Sequence, residues 1–465
     1  MPTFSPDLLA AWTGGRWTAR PDSPLTAFQI DTRTLRAGDV FVAIRTEKRD
    51  GHAFLTEACT AGAVAALVAV ANPDVALPQL VVRDPLVAFQ TIAREHRRAF
   101  RGKVVGISGS AGKTSTKDLL AILLGGGSGV LATEGNLNNH LGVPLTLTRL
   151  DLERHHFAVI EAGISGPGEM QPLADMIEPD VALITLIAAA HTEELGGIEG
   201  VAREKAVLPA ATKTTGVAIF ARDTAEHVPF RALGVRTMVV ERAEVVRPAE
   251  PPNDTIYYAV SHRSEQTALA LAYGVGSPLI FTMRRVSDGQ AQNAALAICA
   301  ALWLGVSREI IQSRLANWEA AKLRGEIRRE NGRLLYLDCY NANPASMADA
   351  LAVFDSIVPA AEPRLYVIGG MEELGPEAAA FHHALGRRLR LRPNDYLFVI
   401  GTHAHAVCAG VLEQGNVTEQ FQIVSSLEPV AAAVTEWRGA VFVKGSRRYH
   451  LEEILEVQTS LPFSC

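Results

Sequence analysis

Residues 108–115, which read Ser-Gly-Ser-Ala-Gly-Lys-Thr-Ser, constrain the fold of this 465-residue chain more than any other segment. They follow an apolar run at 104–107 and precede a helical pattern over 114–124. A glycine-rich turn between a buried strand and a helix lets backbone N–H groups and the helix N-terminus approach phosphate oxygens. The spacing departs from the full GxxxxGK[ST] pattern, because position 107 is Ile, so an ordinary glycine-rich turn is the alternative. The segment predicts a site for a nucleoside triphosphate, most simply ATP with magnesium.

The length of the chain favours several domains, and a composition of 48% hydrophobic and 20% charged residues is that of an ordinary globular protein. We expect boundaries near residues 101 and 322. The N-terminal part has the pattern of a small mixed α/β domain. The central part alternates strands and helices, which predicts a P-loop-type parallel sheet with helices on both faces, and the C-terminal part predicts a separate Rossmann-like open sheet. The predicted elements lie at 39–44, 80–83, 87–100, 104–107, 114–124, 157–160, 181–184, 216–220, 290–304, 333–337, 364–368, 396–400 and 440–443.

Charge and cysteine content exclude several classes of function. The formal net charge is −6 and there is no long basic run, which argues against a nucleic-acid partner. The five cysteines are far apart and form no CxxC pair, so neither a zinc site nor a disulfide framework is indicated. A secretory signal and an apolar run long enough for membrane insertion are both missing from the sequence. We expect a cytoplasmic monomer.

Three residues stand where further ligands of a nucleotide site are needed. Glu161 ends the apolar run 157–160, His191 follows the run that starts at 181, and Lys205 lies on a predicted helix. In open α/β sheets, ligands bind at the carboxyl ends of the strands. Each residue taken alone is better explained as a solvated carboxylate, a structural histidine or a surface lysine, so only their combination points to a site.

Several longer segments resemble one known family. They are residues 31–33 with 50–52, 109–117, 133–139, 142–147, 161–163 with 167–169, 340–344 with 346–347, and 444–447. Together these segments resemble the Mur ligases, and most closely those of the MurF type. The resemblance covers nearly the whole chain, and its most specific parts are Asn138-Asn139 and the Tyr-Asn-Ala-Asn-Pro segment at 340–344.

The resemblance implies an ATP-dependent ligase that forms a C–N bond between UDP-N-acetylmuramoyl-tripeptide and D-alanyl-D-alanine through an acyl phosphate. It implies two magnesium ions, one held by Thr114 and Glu161, the other by His191 and a carbamylated Lys205. Lys113, His191 and Lys205 are the implied catalytic residues. The implied nucleotide-binding residues are Gly109, Ser110, Ala111, Gly112, Lys113, Thr114, Ser115, Asn293, Arg324 and Asp338.

The resemblance also implies sites for both small-molecule substrates. The segment 1–101 would bind the UDP moiety, 102–321 would bind ATP, and 322–465 would complete the ligase. Turn chemistry at a strand end is the alternative for residues 31–33 and His52, Asx turns for Asn341 and Asn343, and a solvated pair for Lys444 and Arg447. The implied substrate-binding residues are Asp31, Thr32, Arg33, His52, Asn138, Asn139, Tyr340, Asn341, Asn343, Lys444 and Arg447.

Three departures from the family pattern bear on the substrate. Gly289-Gln290 stands where the family has His-Asn, Gly370 replaces an Asp, and Leu323 replaces a Gly. None removes an implied metal ligand, but the first lies near the adenine in the family and predicts an altered grip on the base. The alternatives are a related ligase for another carboxylate or amine and a non-catalytic ATP-binding regulator. The N-terminal motifs argue against the first, and the retained Thr114, Glu161, His191 and Lys205 argue against the second.

Overall fold

The structure, a computed structural model, describes residues 2–246, 254–263, 265–274, 276–330 and 332–456. Its strands form three sheets of five, nine and six strands, which follow one another along the chain. This confirms the predicted α/β class with three sheet-based domains. The boundaries near 101 and 322 stay predictions. Within the described residues, no helix has both the length and the apolar character needed to cross a membrane.

The N-terminal sheet is small and mostly parallel. Its strand order is β1-β5-β4-β3-β2, and only the short β1 runs antiparallel to its neighbour. Two 3₁₀ turns, Thr32–Thr34 and Gly51–Phe54, follow the carboxyl ends of β2 and β3. The elements are β1 (Arg16–Trp17), β2 (Ala27–Gln29), β3 (Asp39–Val42), β4 (Ala65–Val68), β5 (Gln79–Val81), α1 (Pro6–Thr13), α2 (Leu55–Thr60) and α3 (Pro85–Ala99).

The central sheet has the order β14-β13-β12-β11-β10-β9-β6-β8-β7 and is parallel from β7 to β12. The last two strands extend it as an antiparallel meander. Its strands are β6 (Lys103–Ser108), β7 (Val130–Ala132), β8 (Phe157–Glu161), β9 (Val181–Ile184), β10 (Val217–Ala221), β11 (Thr237–Arg242), β12 (Thr255–His262), β13 (Gln266–Leu271) and β14 (Leu279–Arg284). Its helices are α4 (Lys113–Leu123), α5 (Gly142–Leu147), α6 (Met170–Ile177), α7 (Thr192–Leu195), α8 (Ile198–Ala210), α9 (Arg222–Ala225), α10 (Val228–Arg231), α11 (Asp288–Trp303) and α12 (Arg308–Leu315).

Helix α11 lies beside the phosphate loop and is largely buried. It packs on α4 and on one face of the sheet, while α5, α6 and α8 cover the other face. Its run from Ala294 to Ala301 is wholly buried. A helix that is apolar on all sides belongs in a core, and its alanines let backbones approach closely. The N-terminus of α11 is thereby fixed beside the loop after β6.

The C-terminal sheet has the order β15-β16-β20-β17-β18-β19 and is parallel except for β15. This is the predicted Rossmann-like open sheet. Because β16 and β20 are adjacent and in register, Asp338 and Lys444 meet at their carboxyl ends. The elements are β15 (Glu326–Glu330), β16 (Arg333–Asp338), β17 (Arg364–Gly369), β18 (Tyr396–Ile400), β19 (Phe421–Val424), β20 (Ala440–Lys444), α13 (Pro344–Ile357), α14 (Ala378–Arg388), α15 (Ala404–Leu412), α16 (Glu428–Glu436) and α17 (Glu453–Glu456).

A buried arginine joins the N-terminal and central sheets. Arg97, near the end of α3, donates to the carbonyls of Ile177 and Glu178 at 2.8 Å each and to Asp180 Oδ2 at 3.2 Å. The same Asp180 oxygen accepts the backbone N–H of Val104 at 3.0 Å, so the network anchors the start of β6. Removal of one member of such a network leaves buried polar groups without partners.

We expect Arg97→Ala to lower the free energy of unfolding by about 3–5 kcal/mol, because it removes the buried donor of the Ile177 and Glu178 carbonyls and leaves Asp180 with only the part-exposed Lys103 and Lys213. Urea unfolding followed by far-UV circular dichroism measures the change. Arg98→Ala is the matched control, since Arg98 is 49% exposed in its pair with Glu178, and its loss should be worth about 0–1 kcal/mol. Equal effects of the two variants would contradict a structural role for the buried network.

Candidate active site

The loop between β6 and α4 has the backbone shape of a phosphate cradle. Gly109 and Gly112 have φ values of 146° and 77°. A Cβ at Gly112 would lie 2.3 Å from Asn293 Nδ2, and one at Gly109 would lie 2.0 Å from Thr185 Oγ1. Glycine is therefore required at both positions. The α4 N-terminus opens directly after the loop, and it favours an anion there.

Hydrogen bonds hold the loop in this shape from the neighbouring strand. Ser110 donates its backbone N–H to Leu186 O at 2.8 Å and its hydroxyl to Ala188 O at 2.9 Å. Lys113 folds back over the loop and donates to Gly109 O at 2.9 Å. Burial lowers the pKa of Lys113, and the nearby charge of Glu161 opposes that shift. The loop is preorganised, and its lysine lies over the place where phosphates would bind.

Glu161 presents an unsatisfied carboxylate oxygen to the same cavity. It ends β8, is 1% exposed, and its Oε1 accepts from Asn138 Nδ2 at 2.8 Å. Its Oε2 is buried with no hydrogen-bond partner in the described part of the chain. Such an oxygen destabilises the fold unless something else completes it. A hard cation prefers carboxylate and hydroxyl oxygens, so Glu161 and the loop's Thr114, which also lines the cavity, fit a magnesium ion.

The structure does not bring His191 and Lys205 into that lining. His191 Nδ1 lies 2.5 Å from Glu373 Oε2 of the C-terminal sheet domain, and both residues have a positive φ, 56° and 61°. Lys205 is 1% exposed, and its ammonium has no hydrogen bond or ion pair among the described residues. Burial, reinforced by the charge of Lys113, lowers the pKa of Lys205 well below its usual range. Across the described ranges, no three His, Cys, Asp or Glu side chains are grouped to hold a metal.

The C-terminal domain closes the other side of a cavity of about 390 Å³. Arg324 stacks on Tyr340, with its guanidinium carbon 3.7 Å from the ring centroid. Asn343 donates to Ser110 O at 3.4 Å, while its Oδ1 caps α13 by accepting from Ser346 N at 2.8 Å. The cap supports the Asx alternative, but the bond to Ser110 adds a contact with the loop. The predicted residues that line this cavity are Ser110, Ala111, Gly112, Lys113, Thr114, Ser115, Asn138, Glu161, Asn293, Arg324, Asp338, Tyr340, Asn341, Asn343 and Lys444.

Two of these predicted ligands are engaged within the protein. Lys444, 1% exposed, lies 2.5 Å from Asp338 Oδ2 and also donates to Asn341 O at 3.2 Å. Asn341 Oδ1 accepts its neighbour's backbone N–H at 2.8 Å. These contacts make Lys444 a group that positions Asp338 and the 340–344 segment.

The predicted UDP-binding residues lie at the carboxyl ends of β2 and β3, outside the described lining of the cavity. Asp31 pairs with Arg33 at 2.6 Å, which lowers the pKa of Asp31 to about 2. His52 contacts Asp50 Oδ1 through Nδ1 at 2.6 Å and accepts Ala69 N–H at Nε2, at 2.9 Å. Both motifs organise turns at these strand ends, and UDP binding by them stays a prediction.

Three other predicted substrate residues also bond elsewhere in the protein and are outside that lining. Thr32 donates to Glu57 Oε1 at 2.5 Å. Asn139 caps α5 through the backbone N–H groups of residues 141 and 142. Arg447 pairs with Glu452.

The resemblance placed Gly289 and Gln290 near the base, but sequence reasoning missed Asp349, which lines the cavity beside them. Gly289 donates its N–H to Asp349 Oδ1 at 2.9 Å, and Gln290 Nε2 donates to Arg324 O at 2.9 Å. Burial raises the pKa of Asp349, against the hydrogen bonds from Ser287 and Gly289. The contacts join different domains, so no local pattern signals them.

The departure at Leu323 has a visible backbone consequence. Its φ of 62° lies in the left-handed region, where glycine is at no disadvantage. A non-glycine residue there is strained by about 1–2 kcal/mol. Leucine therefore stands at a backbone position that favours glycine, the residue that the resemblance predicts before Arg324.

The glycine-rich loop of the central domain faces Arg324 and Lys444 of the C-terminal α/β domain across this cavity. This arrangement is typical of nucleotide-dependent enzymes that bind the phosphates between two domains. The model of the Mur ligase middle domain matches residues 107–301, and that of the Mur ligase glutamate ligase domain matches residues 323–447. The chain belongs to the Mur ligase family, in its MurF branch.

Relatives with this architecture align over almost their whole length. The UDP-N-acetylmuramoyl-tripeptide–D-alanyl-D-alanine ligases of Escherichia coli and Bacillus subtilis are 32% and 30% identical, with coverage of 93% of this chain and 94% and 93% of theirs. A crystal structure of MurF from Acinetobacter baumannii matches with a TM-score of 0.85 at 27% identity, over 99% of this chain and all of its own. MurF from Thermotoga maritima, in complex with ADP, matches with a TM-score of 0.77 at 26% identity, over 93% and 96% of the two chains.

We expect Gly112→Ala to weaken ADP binding by about tenfold or more, because the new methyl group displaces the Asn293 amide and the backbone φ is unfavourable. Isothermal titration calorimetry measures the dissociation constant. Gly168→Ala is the matched control, since Gly168 has a φ of 79° and no atom within 4 Å of a built Cβ. Unchanged ADP affinity in Gly112→Ala would show that the loop does not carry the nucleotide.

Proposed function

We propose that this chain joins D-alanyl-D-alanine to UDP-N-acetylmuramoyl-tripeptide at the expense of ATP, in peptidoglycan precursor synthesis. One observation carries the proposal: the phosphate loop, the unsatisfied Glu161 oxygen and Arg324 of the C-terminal domain surround a single cavity. The names and near-complete alignment of the relatives support the choice of substrates.

The reaction needs an activated carboxyl group, because a free carboxylate has no good leaving group. Attack of the tripeptide carboxylate on the γ-phosphorus forms a new P–O bond, breaks the bond to the β-phosphate and releases ADP. The amine of D-alanyl-D-alanine then attacks the acyl carbon of the resulting acyl phosphate. The tetrahedral species loses inorganic phosphate and a proton, which leaves the amide. Phosphoryl transfer of this kind depends on positioning and charge neutralisation more than on covalent help from the protein.

The chain supplies that neutralisation from two domains. Lys113 lies over the loop, and Arg324, whose positive charge acts on Lys113, approaches from the opposite wall. Thr114 and Glu161 would hold a magnesium ion, which supplies positive charge to the phosphate oxygens when bound. Asn138 donates to Oε1 of Glu161, which leaves Oε2 as the carboxylate oxygen that would be available to such an ion. Closure of the two domains keeps water from the acyl phosphate.

A second metal position, made by His191 and a carbamylated Lys205, is part of the proposal. The buried Lys205 amine has no ion pair among the described residues, and the charge of Glu204 only partly opposes the lowering of its pKa. The lowered pKa favours the neutral form that reacts with CO₂. A carbamate would replace a poorly compensated ammonium by oxygen donors, which suit a hard cation. Glu373 occupies Nδ1 of His191, so Nε2 is the ring nitrogen left for a ligand.

The substrate sites are proposed by position. The carboxyl ends of β2 and β3, with residues 31–33 and His52, would bind the UDP moiety, so 1–101 is the proposed substrate-binding domain. The proposed ATP-binding domain is 102–321, and 322–465 would bring Tyr340, Asn341 and Asn343 to the dipeptide. The turn contacts of Asp31 and His52 support a preformed surface for the nucleotide. Ligands bind at such strand ends in open α/β sheets.

We expect phosphate release from ATP only when UDP-N-acetylmuramoyl-tripeptide and D-alanyl-D-alanine are both present, measured with a coupled phosphate assay. Omission of either substrate is the control. ATP binding without turnover would favour the non-catalytic regulator. Turnover with a different acceptor would favour a related ligase, a fold-level possibility because a folylpolyglutamate synthase matches with a TM-score of 0.56 at 16% identity.

We expect Lys205→Ala to lower kcat by about 100-fold or more, because loss of a metal ligand or its support has effects of that size. ADP affinity should largely survive. Labelling with ¹³C-bicarbonate should give a carbamate signal in the NMR spectrum of the parent protein that is missing from the variant. Lys213→Ala, at a half-exposed lysine paired with Asp180 at 3.7 Å, is the matched control. Full activity of Lys205→Ala would disprove the carbamate.

A further inference from the structure

Asp349, on α13, occupies the end of the cavity where the two domains meet at α11. Its Oδ1 accepts the Gly289 N–H at 2.9 Å, and the Ser287 side chain bonds to the same carboxylate. A Cβ at position 289 would lie 2.6 Å from Asp349 Oδ2. The carboxylate therefore fills the space that any larger residue at 289 would need, so the two positions form a complementary pair across the domain boundary.

The location of Asp349 along the cavity identifies which part of a nucleotide it would meet. Asn293 contacts the phosphate loop, because its amide lies against Gly112. Gly289 is one helical turn closer to the α11 N-terminus, which separates it from Asn293 by about 6 Å. Lys113 and Arg324, whose charges interact, mark the phosphate end. With phosphates on the loop, the nucleoside extends toward Gly289 and Asp349.

Two other polar side chains near Asp349, those of Gln290 and Asp338, are already engaged. Gln290 accepts Ser287 N–H at 3.2 Å and donates to Arg324 O at 2.9 Å, so both ends of its amide are occupied. Asp338 is paired with Lys444. A carboxylate has about four acceptor positions, and the described protein donors to Asp349 are the Gly289 N–H and the Ser287 hydroxyl. Asp349 thus retains acceptor capacity at the nucleoside end.

We propose that Asp349 selects adenine over guanine by accepting a hydrogen bond from the exocyclic amino group of the base. Adenine presents an amino donor where guanine presents the O6 acceptor, and an acceptor-only carboxylate repels the latter. Binding of the base would also tie α13 to α11 and so link nucleotide identity to closure. The proposal rests on the nucleotide use proposed above, and it names the residue that sets base specificity.

The test replaces one acceptor oxygen of the Asp349 carboxylate by an NH₂ donor and keeps the side-chain shape nearly unchanged. In Asp349→Asn the amide oxygen can keep the Gly289 N–H, which directs the NH₂ group to the base. Dissociation constants for ADP, GDP and 2′-deoxy-ADP are measured by isothermal titration calorimetry. We expect the preference for ADP over GDP to fall by about tenfold or more in Asp349→Asn. Asp349→Ala should weaken ADP without a gain for GDP.

Asp355→Asn, at a carboxylate on the same helix that pairs with Arg364 outside the cavity, is the matched control and should keep the ADP-to-GDP ratio. Equal weakening of both nucleotides in Asp349→Asn would overturn the proposal and reduce Asp349 to an interdomain contact. An unchanged ADP-to-GDP ratio with a lost preference for ADP over 2′-deoxy-ADP would overturn it in favour of the ribose. Equal affinity of the parent protein for ADP and GDP would also overturn it. Selective ADP binding without ligation would contradict the proposed function alone.

Discussion

The close approach of the phosphate loop to α11 is the contact on which the site depends. Gly112 leaves no room for a side chain against Asn293, so the loop and the helix are fixed relative to each other. The alanines of α11 are packed in the main core of the central domain, so the helix cannot shift without disrupting that core. Its N-terminus also contacts Asp349 and Arg324 of the C-terminal domain. The position of α11 therefore determines both the end of the cavity at the phosphate loop and the wall that the C-terminal domain forms.

The charges around the phosphate loop and α11 favour ligand binding more than they favour the stability of the fold. Lys205 is a buried lysine whose pKa is lowered by burial and by the charge of Lys113, and Glu161 retains a buried oxygen without a partner among the described residues. Each arrangement destabilises an isolated protein. Bound phosphates, a cation and a carbamate would each relieve one of them. One of these departures from ordinary stability rules lies in the cavity lining, and the other lies at Lys205, whose pKa is affected by the lining residue Lys113. Such departures are typical of functional sites.

The sequence was most informative where one local signal decides the structure. Uniformly apolar runs such as Val181–Ile184 became central parallel strands because both of their faces are buried, and the glycine loop lies where its neighbours predicted. The meander of β13 and β14 was missed, since the alanines and leucines of Gln266–Leu271 favour a helix by intrinsic propensity, although their burial in the structure alternates as in a strand. Asn139 shows the limit for sites: the same amide that suits a substrate also caps α5. Asp349 was beyond reach, because its role depends on a contact between domains.

The departures from the family pattern acquire meaning when both domains are considered together. Considered alone, Gly289 is a position without a side chain near the proposed site of the base. Asp349 of the C-terminal domain fills the space beside Gly289 and supplies a polar group there. Leu323 has the left-handed backbone conformation that glycine would adopt without strain. The surrounding contacts therefore hold this strained conformation, and with it the position of Arg324. Both changes leave the contacts across the cavity in place. Both positions therefore serve the approach of the C-terminal domain to the loop, Gly289 through its bond to Asp349 and Leu323 through the backbone that places Arg324.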